Sequence, residues 1–402
     1  MRRETRTNAS ERFSAYLEGL GETLRDKRQR ASFALYALGL LSDGERKSLE
    51  PIAARACGNP ERTHAVHEQL IHFLAASPWR DEPVRQFAAK HAVQAMQTQG
   101  PIRTWVIDDT GFIKQGKHSP GVQRQYTGSA GKTTNCQIGV SLVAATEHAH
   151  VATDFRLYLP ESWTEDRDRC RRAHIPDHIG YAPKWVLALG MIENALQAGL
   201  PKGVVLADAD YGTKTVFRDT LSGLGLEYAV GVQGVGKLRV VGDAGAMSER
   251  MTIEEVGLSL QRKLRTVTWR EGTKATLRSR FARVRVVVDR DDGHPRDAEW
   301  LLVEWPQAEQ APTKFVLSTL PATISCKEMV RTVKSRWRIE RSYEDLKGEL
   351  GLDHYEGRSF VGWHHHISVV LACYAFLVAE HVRSFPPSAR GKARNRSLGN
   401  AA

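Results

Sequence analysis

The sequence predicts an α/β core interrupted by a β-rich insertion, preceded by an all-α N-terminal domain and closed by C-terminal helices. Three observations predict it. Residues 10–95 carry apolar side chains at a 3.6-residue period, strand-like and helix-like segments alternate from Pro101, and residues 235–320 switch to short runs of β-branched and aromatic residues. With 402 residues, 41% apolar and 26% charged, the chain can bury one large core or two to three smaller ones.

Each element follows from its pattern. FSAYLEGLGETL, ASFALYALGLL, THAVHEQLIHFLAAS and EPVRQFAAKHAVQAM are amphipathic helices, broken at Gly58-Asn59-Pro60 and near Pro78. TWVIDDT, CQIGVSLVAAT and ATDFRLYLP then read as strands. Helix KWVLALGMIENALQAG (184–199), strand GVVLAD, helix TKTVFRDTLSGL and strand EYAVGV continue the alternation. KLRVVG, RKLRTVTW, RFARVRVVVD, EWLLVEW and KFVLSTL are the strands of the insertion, and helix returns from Lys327. The expected divisions are 1–98 (helical), 99–230 (first part of the core), 231–322 (insertion), 323–382 (completing helices) and 383–402 (a basic tail expected to be disordered).

Composition narrows the function. No apolar run of about 18 residues stands out, and the start MRRETRTNASERFSAYLEGL lacks the apolar stretch of a signal peptide, so a soluble cytosolic protein is expected. The five cysteines are scattered without a C-x-x-C pair, which argues against a disulfide framework and a cysteine-built zinc site. Net charge is +11, and residues 262–290 hold ten Lys/Arg against two acids. Basic residues interleaved with β-branched and aromatic ones, among them Trp269, Arg278, Arg280 and Arg283, suit a strand surface facing a polyanion.

Carboxylates collect at three places. Asp108 and Asp109 stand in WVIDDT, Asp208 and Asp210 in VVLADADYG, each after an apolar strand. The third place is RWRIERSYEDLKGELG (336–351), where Arg336, Glu340, Glu344 and Lys347 share one helical face beside the apolar stripe Ile339, Tyr343, Leu346 and Leu350. Three converging acids without Cys or His suit hard, oxygen-preferring Mg²⁺ or Mn²⁺. Two such ions roughly 3.5–4 Å apart serve phosphodiester chemistry, so a basic protein of this kind is a candidate nuclease or strand-transfer enzyme.

The set WVIDDT, LADADYG and RWRIERSYEDLK resembles the DDE transposases of bacterial insertion sequences. It is most similar to the branch whose last acid lies in a Tyr-x2-Arg-x3-Glu-x6-Lys signature and whose core carries a β insertion. DDTGFIKQGKHSPGVQRQYTGSAGKTTNCQIGVSL and GLDHYEGRSFVGWHHH share the likeness, which spans about residues 60–380. Arg336, Glu340 and Lys347 fit the signature spacing, while Val333 stands at the tyrosine position. The resemblance implies a ribonuclease-H-like core and a helical, DNA-binding N-terminal domain. It implies Asp108 (Asp109 as the alternative), Asp208 and Glu340 as ligands of two Mg²⁺ ions that Mn²⁺ can replace. Arg336 and Lys347 would contact phosphates, with Trp269 and the basic strand on DNA. Expected partners are double-stranded DNA, both terminal inverted repeats and target, and a second copy of the chain in a synaptic complex. A nuclease that only hydrolyses, and a transposase-derived DNA-binding regulator without catalysis, are the alternatives.

Three other features are set aside. Gly231–Lys237 spells G-x4-G-K, but Leu238 follows where Ser/Thr should hold Mg²⁺ and a strand follows where a helix should start. His364, His365 and His366 point about 100° apart on a helix and cannot share one ion, so packing or backbone contact is expected. Trp269, Trp300 and Trp305 are core strand residues or base-stacking platforms, with Trp269 the better placed.

Overall fold

The computed structural model describes residues 8–57, 59–242, 245–271, 276–288 and 297–385. The tail beyond residue 385 and parts of the basic run, at 272–275 and 289–290, lie outside the described residues. Five helices open the chain: α1 (Ala9–Gly21), α2 (Lys27–Leu41), α3 (Leu49–Ala56), α4 (Pro60–Ala75) and α5 (Asp81–Gln97). Their starts are written locally. Asn8 and Glu11 form a reciprocal capping box, Asp26 caps α2, and Asn59 caps α4 with Pro60 in the first turn. Helix α3, eight residues long, is an element that the sequence reading does not single out.

The chain then forms β1 (Thr104–Ile113), β2 (Gln123–Thr127), β3 (Lys132–Ala145) and β4 (His150–Tyr158), followed by short helices α6 (Glu161–Thr164) and α7 (Arg167–Arg172). Next come α8 (Lys184–Gln197), β5 (Val204–Ala207), α9 (Ala209–Gly212), α10 (Thr215–Gly223) and β6 (Tyr228–Val232). The insertion contributes β7 (Lys237–Val240), β8 (Met251–Thr252), α11 (Ile253–Ser259), β9 (Arg265–Glu271), β10 (Thr276–Val288), β11 (Glu299–Glu304) and β12 (Lys314–Ser318). Helices α12 (Cys326–Lys334), α13 (Trp337–Gly348) and α14 (Phe360–Ser384) follow. A strand, not a helix, follows the G-x4-G-K turn, so no helix N-terminus faces a phosphate there.

The twelve strands of the described residues join one mixed sheet, ordered β2-β3-β1-β5-β6-β12-β11-β10-β7-β8, with β4 beside β3 and β9 beside β10. Within β4-β3-β1-β5-β6, the first three strands alternate direction while β1, β5 and β6 run parallel. Strand β12 pairs antiparallel with β6. The segment from β7 to β12 therefore continues the sheet of β1 to β6 in space. It adds a smaller apolar cluster of its own around Leu238, Val256, Val286, Leu301 and Val303.

Helix α14 corrects one sequence expectation. It contains an apolar window long enough to cross a membrane, with mean hydropathy 1.4. Most of that helix is covered by protein, because it packs between the N-terminal helices and β4, and its apolar side chains join the main core. Burying each such side chain contributes about 1.5–3 kcal/mol. The three histidines diverge as helical geometry requires. His365 stacks on Trp79 at 3.7 Å with its ring nitrogens near the Leu74 and Trp79 carbonyls, His366 meets the Tyr36 hydroxyl at 2.8 Å, and His364 lies against the Phe360 carbonyl. All three are packing residues that fasten the N-terminal helices and the sheet around α14. Buried Arg85 of α5 does the same, pairing with Asp154 of β4 at 2.7 Å and bonding Ser368 of α14.

Candidate active site

The parallel register of β1 and β5 pairs Val106 with Leu206. Two residues further along stand Asp108, within β1, and Asp208, just past the end of β5, so the register carries both acids to one level. Strand β5 ends at Ala207, whereas β1 runs on to Ile113 beside β3. The first acid thus lies inside its strand, not at its end as the sequence suggests. Where β5 stops, the flank of β1 opens beside Asp108, whose side chain stays largely buried.

Side-chain alternation separates the two neighbouring acids. Asp108 shares its face with Ser141, its partner on β3, and with α13: its Oδ2 accepts from Arg336 Nη1 at 2.6 Å and its Oδ1 from the Asp109 backbone N–H at 2.9 Å. Asp109 points to the α8 side, where its Oδ2 accepts from Lys184 Nζ at 2.9 Å and the Tyr211 hydroxyl at 3.3 Å. Neither Lys184 nor Tyr211 carries a local sequence signal for this contact, which only the fold creates.

Asp208 is the N-cap of α9, its Oδ1 accepting from the Asp210 backbone N–H at 3.0 Å. Two glycines let α9 lie that close to β6. A Cβ on Gly231 would stand 2.8 Å from Ala209 N and 3.0 Å from the Asp208 carbonyl carbon, and one on Gly212 would strike the Gly231 carbonyl. Asp210 itself is exposed beside this cap.

Helix α13 supplies the third group of residues. Ile339 and Leu346 are fully buried, and Tyr343 bonds Ser141 Oγ at 2.6 Å. This stripe presses the helix onto β1 and β3 and presents Arg336 to the acids. Lys347 Nζ donates to Thr110 Oγ1 at 2.9 Å and the Gly111 carbonyl at 2.8 Å, bracing α13 to β1 below the acids. Glu340 lies 3.9 Å from Arg336 Nη2 with its side chain 53% exposed. Glu344 and Asp345 turn away to Arg341. Val333, at the signature tyrosine position, packs against the core.

The electrostatics have one centre. Burial pushes the Asp108 carboxyl up to about 6, with Arg336 pulling it down and Asp208 pushing it further up. Burial also raises Asp208 against the pull of Arg336. Burial opposes the charge on Arg336, but Asp108, Glu340 and Asp208 together outweigh it and raise its pKa. One guanidinium therefore feels all three acids. Among the described residues, no group of three His, Cys, Asp or Glu side chains is arranged to hold a metal. The donor set nonetheless fits a hard divalent ion in kind: it is all oxygen, and two half-buried carboxylates sit at raised pKa despite a guanidinium beside them.

The basic strand divides between two faces of the sheet, because β10 places Arg278 and Arg280 on one side and Arg283 and Arg285 on the other. Arg278 is exposed, whereas Arg280 bonds the Trp305 carbonyl at 3.2 Å and Arg283 bonds the Ile324 carbonyl with its guanidinium over Trp300. Trp269 stands edge-on to Phe281 at 5.8 Å under Lys334 Nζ, which pairs with Glu304. Trp305 is buried, and Trp300 Nε1 donates to the Pro321 carbonyl. Trp337, beside Arg336, is covered by Arg270 of β9 at 4.0 Å, so the insertion touches the start of α13.

Comparison with known proteins identifies the family. A family model described as DDE superfamily endonuclease matches residues 19–276, and a second, described as transposase DDE domain, matches 187–376. The chain is 29% identical over 209 residues to a probable transposase for insertion sequence element IS701 from Microchaete diplosiphon, a match covering 52% of this chain and 50% of that protein. The chain thus spans about half the length of the curated relative it matches. With the first model covering well over half of the sequence and the second extending through α13, the chain belongs to the DDE superfamily endonucleases.

Proposed function

We propose that this protein is a DNA transposase that cleaves at the ends of a mobile element and joins the freed 3′-hydroxyl to target DNA. One observation carries the reading: the β1/β5 register brings Asp108 and Asp208 to one level, and Arg336, at the start of α13, pairs with Asp108 and lies 3.9 Å from Glu340. The order β4-β3-β1-β5-β6, with its first three strands antiparallel and its last three parallel, supports a ribonuclease-H-like core. DDE-type nucleases generally use divalent metals, and here Asp108, Asp208 and Glu340 would hold two Mg²⁺ or Mn²⁺ ions. Bound there, the ions would activate the nucleophile and neutralise charge at phosphorus.

The chain's own residues do the rest. Asp108 and Asp208 each fix one oxygen on a backbone N–H, which aims the other into the gap. Lys347 and the Tyr343–Ser141 bond hold α13 at a set distance from β1, and so place Glu340. Arg336 grips a phosphate beside the scissile bond, as a planar guanidinium does. Water attacks first at the element's end; the 3′-hydroxyl then attacks target DNA, or the opposite strand when a hairpin forms, each an in-line displacement. Exposed Arg278 and its basic neighbours steer the polyanion, and two copies of the chain, in the bacterial cytosol, bring two element ends together.

Pre-nicked end oligonucleotides incubated with Mg²⁺ and plasmid test this. Joined product that disappears in Asp208→Asn and Glu340→Gln is the expected result. Cleavage without joining would leave a hydrolytic nuclease, and binding with neither would leave a DNA-binding regulator.

A further inference from the structure

We propose that Arg336 is an exchangeable counter-ion: its guanidinium and a divalent cation compete for the same oxygen of Asp108, and a DNA phosphate draws the guanidinium away. This rests on the carboxylate-metal reading above and adds an order to it, in which DNA and metal load together.

The carboxylate oxygens are already allotted. Oδ1 of Asp108 accepts from the backbone of Asp109, and Oδ1 of Asp208 from the backbone of Asp210. That leaves Oδ2 of Asp108 as its outward oxygen, and this atom carries Arg336 at 2.6 Å. A divalent ion held by Asp108 would compete for that oxygen and would meet a like charge beside it. The guanidinium and the ion therefore exclude one another.

Arg336 is built to leave. Its second carboxylate contact, Glu340, lies at 3.9 Å, beyond hydrogen-bond length. Its side chain is 30% exposed, and it stands at the N-cap of α13 without a side-chain capping bond, so turning it outward gives up only the long contact with Glu340 on the helix. A phosphate offers the planar fork two parallel acceptors where Asp108 offers one short bond. Moving to phosphate frees Oδ2 and removes the repelling charge in one motion. Linkage makes the effect reciprocal, so bound metal must tighten DNA binding by the same factor.

The test is Mn²⁺ binding, read from the electron paramagnetic resonance of the free ion, without catalysis as a readout. Native protein, Arg336→Gln and the double variant Asp108→Asn/Asp208→Asn are titrated alone and with a saturating duplex oligonucleotide, after subtracting ions taken up by the duplex itself. Duplex is expected to tighten Mn²⁺ binding by native protein about 10-fold or more, within the usual range of coupling between sites. Arg336→Gln should bind Mn²⁺ without duplex as tightly as native protein does with it. Equal Mn²⁺ affinity of native protein and Arg336→Gln without duplex overturns the exchange and leaves the metal reading standing. Equal affinity of the double variant and native protein overturns the metal reading, and the exchange with it. Should Arg336→Gln not fold, the native titrations decide alone: no change with duplex overturns the proposal.

Discussion

Arg336 and Asp108, 228 residues apart in sequence, meet in a 2.6 Å ion pair that ties the start of α13 to the middle of β1. The pair joins the start of α13 to β1 across all of the intervening chain. It also separates two acids that adjoin in sequence. Asp108 faces the guanidinium, while Asp109 faces Lys184 and Tyr211 on the other side of the strand.

That division gives opposite phenotypes to two conservative changes. Asp108→Asn should abolish DNA cleavage yet leave a folded protein. Asp109→Asn should weaken the pair with Lys184 and cost about 1–3 kcal/mol of stability, because a partly buried ammonium loses its counter-charge. Chemical denaturation and a nicking assay on the same preparations separate them. Cleavage lost in Asp109→Asn at unchanged stability would reverse the two roles.

Acid titration offers a second reading of the same residue. The folded protein holds the Asp108 proton more tightly than the unfolded chain does, with a pKa of about 6 against an ordinary 3.8. The stability this contributes is fully present below 3.8 and is lost as pH rises through about 6. In a chelating buffer, the melting temperature of native protein should carry a downward component across that window. Asp108→Asn should lack it, keeping the downward contributions of Asp208 and Asp345, both raised in the same direction. Identical pH profiles for the two proteins would mean that Asp108 is not raised.

Glu340 and Glu344 lie one turn apart on α13, and only the first faces Arg336. Both are largely exposed, so Glu340→Gln and Glu344→Gln should each move stability by no more than about 0.5 kcal/mol. Activity should divide them, with Glu340→Gln inactive and Glu344→Gln close to native. Comparable cleavage by the two variants would remove Glu340 from the site.

Much of this arrangement was legible in the sequence because its signals are local. The apolar runs before Asp108 and Asp208 and the 3.6-residue stripe through Ile339 and Leu346 each act within a turn or a strand. Contacts set by sheet order were not legible. Nothing near Lys184 announces Asp109, and nothing in the alternation of β10 says that Arg280 and Arg283 spend their donors on carbonyls instead of facing outward. The continuation of the core sheet into the insertion depends on β12 pairing with β6 across more than 80 residues, a choice made by packing. Helix α14 misled for a related reason: in sequence its apolar run is diluted by three histidines, each of which finds a partner only in the folded chain.

Gly231 and Gly212 extend the argument to residues with no side chain at all. The close approach of α9 to β6 at these positions sets Asp208, which caps the helix. A methyl group at residue 231 meets backbone atoms of Asp208 and Ala209, and backbone cannot rotate aside as a side chain can. Gly231→Ala should therefore cost about 1–3 kcal/mol, the usual range for overpacking, and should shift Asp208 and weaken Mn²⁺ binding even at temperatures where the protein stays folded. Gly190→Ala on α8 is the matched control: its Cβ would meet nothing within 4 Å, and it should stabilise the helix by about 0.4–1 kcal/mol. Calorimetry gives the stabilities and Mn²⁺ titration the site. Native Mn²⁺ affinity in a destabilised Gly231→Ala protein would show that the glycine pair serves only packing and does not position the second acid.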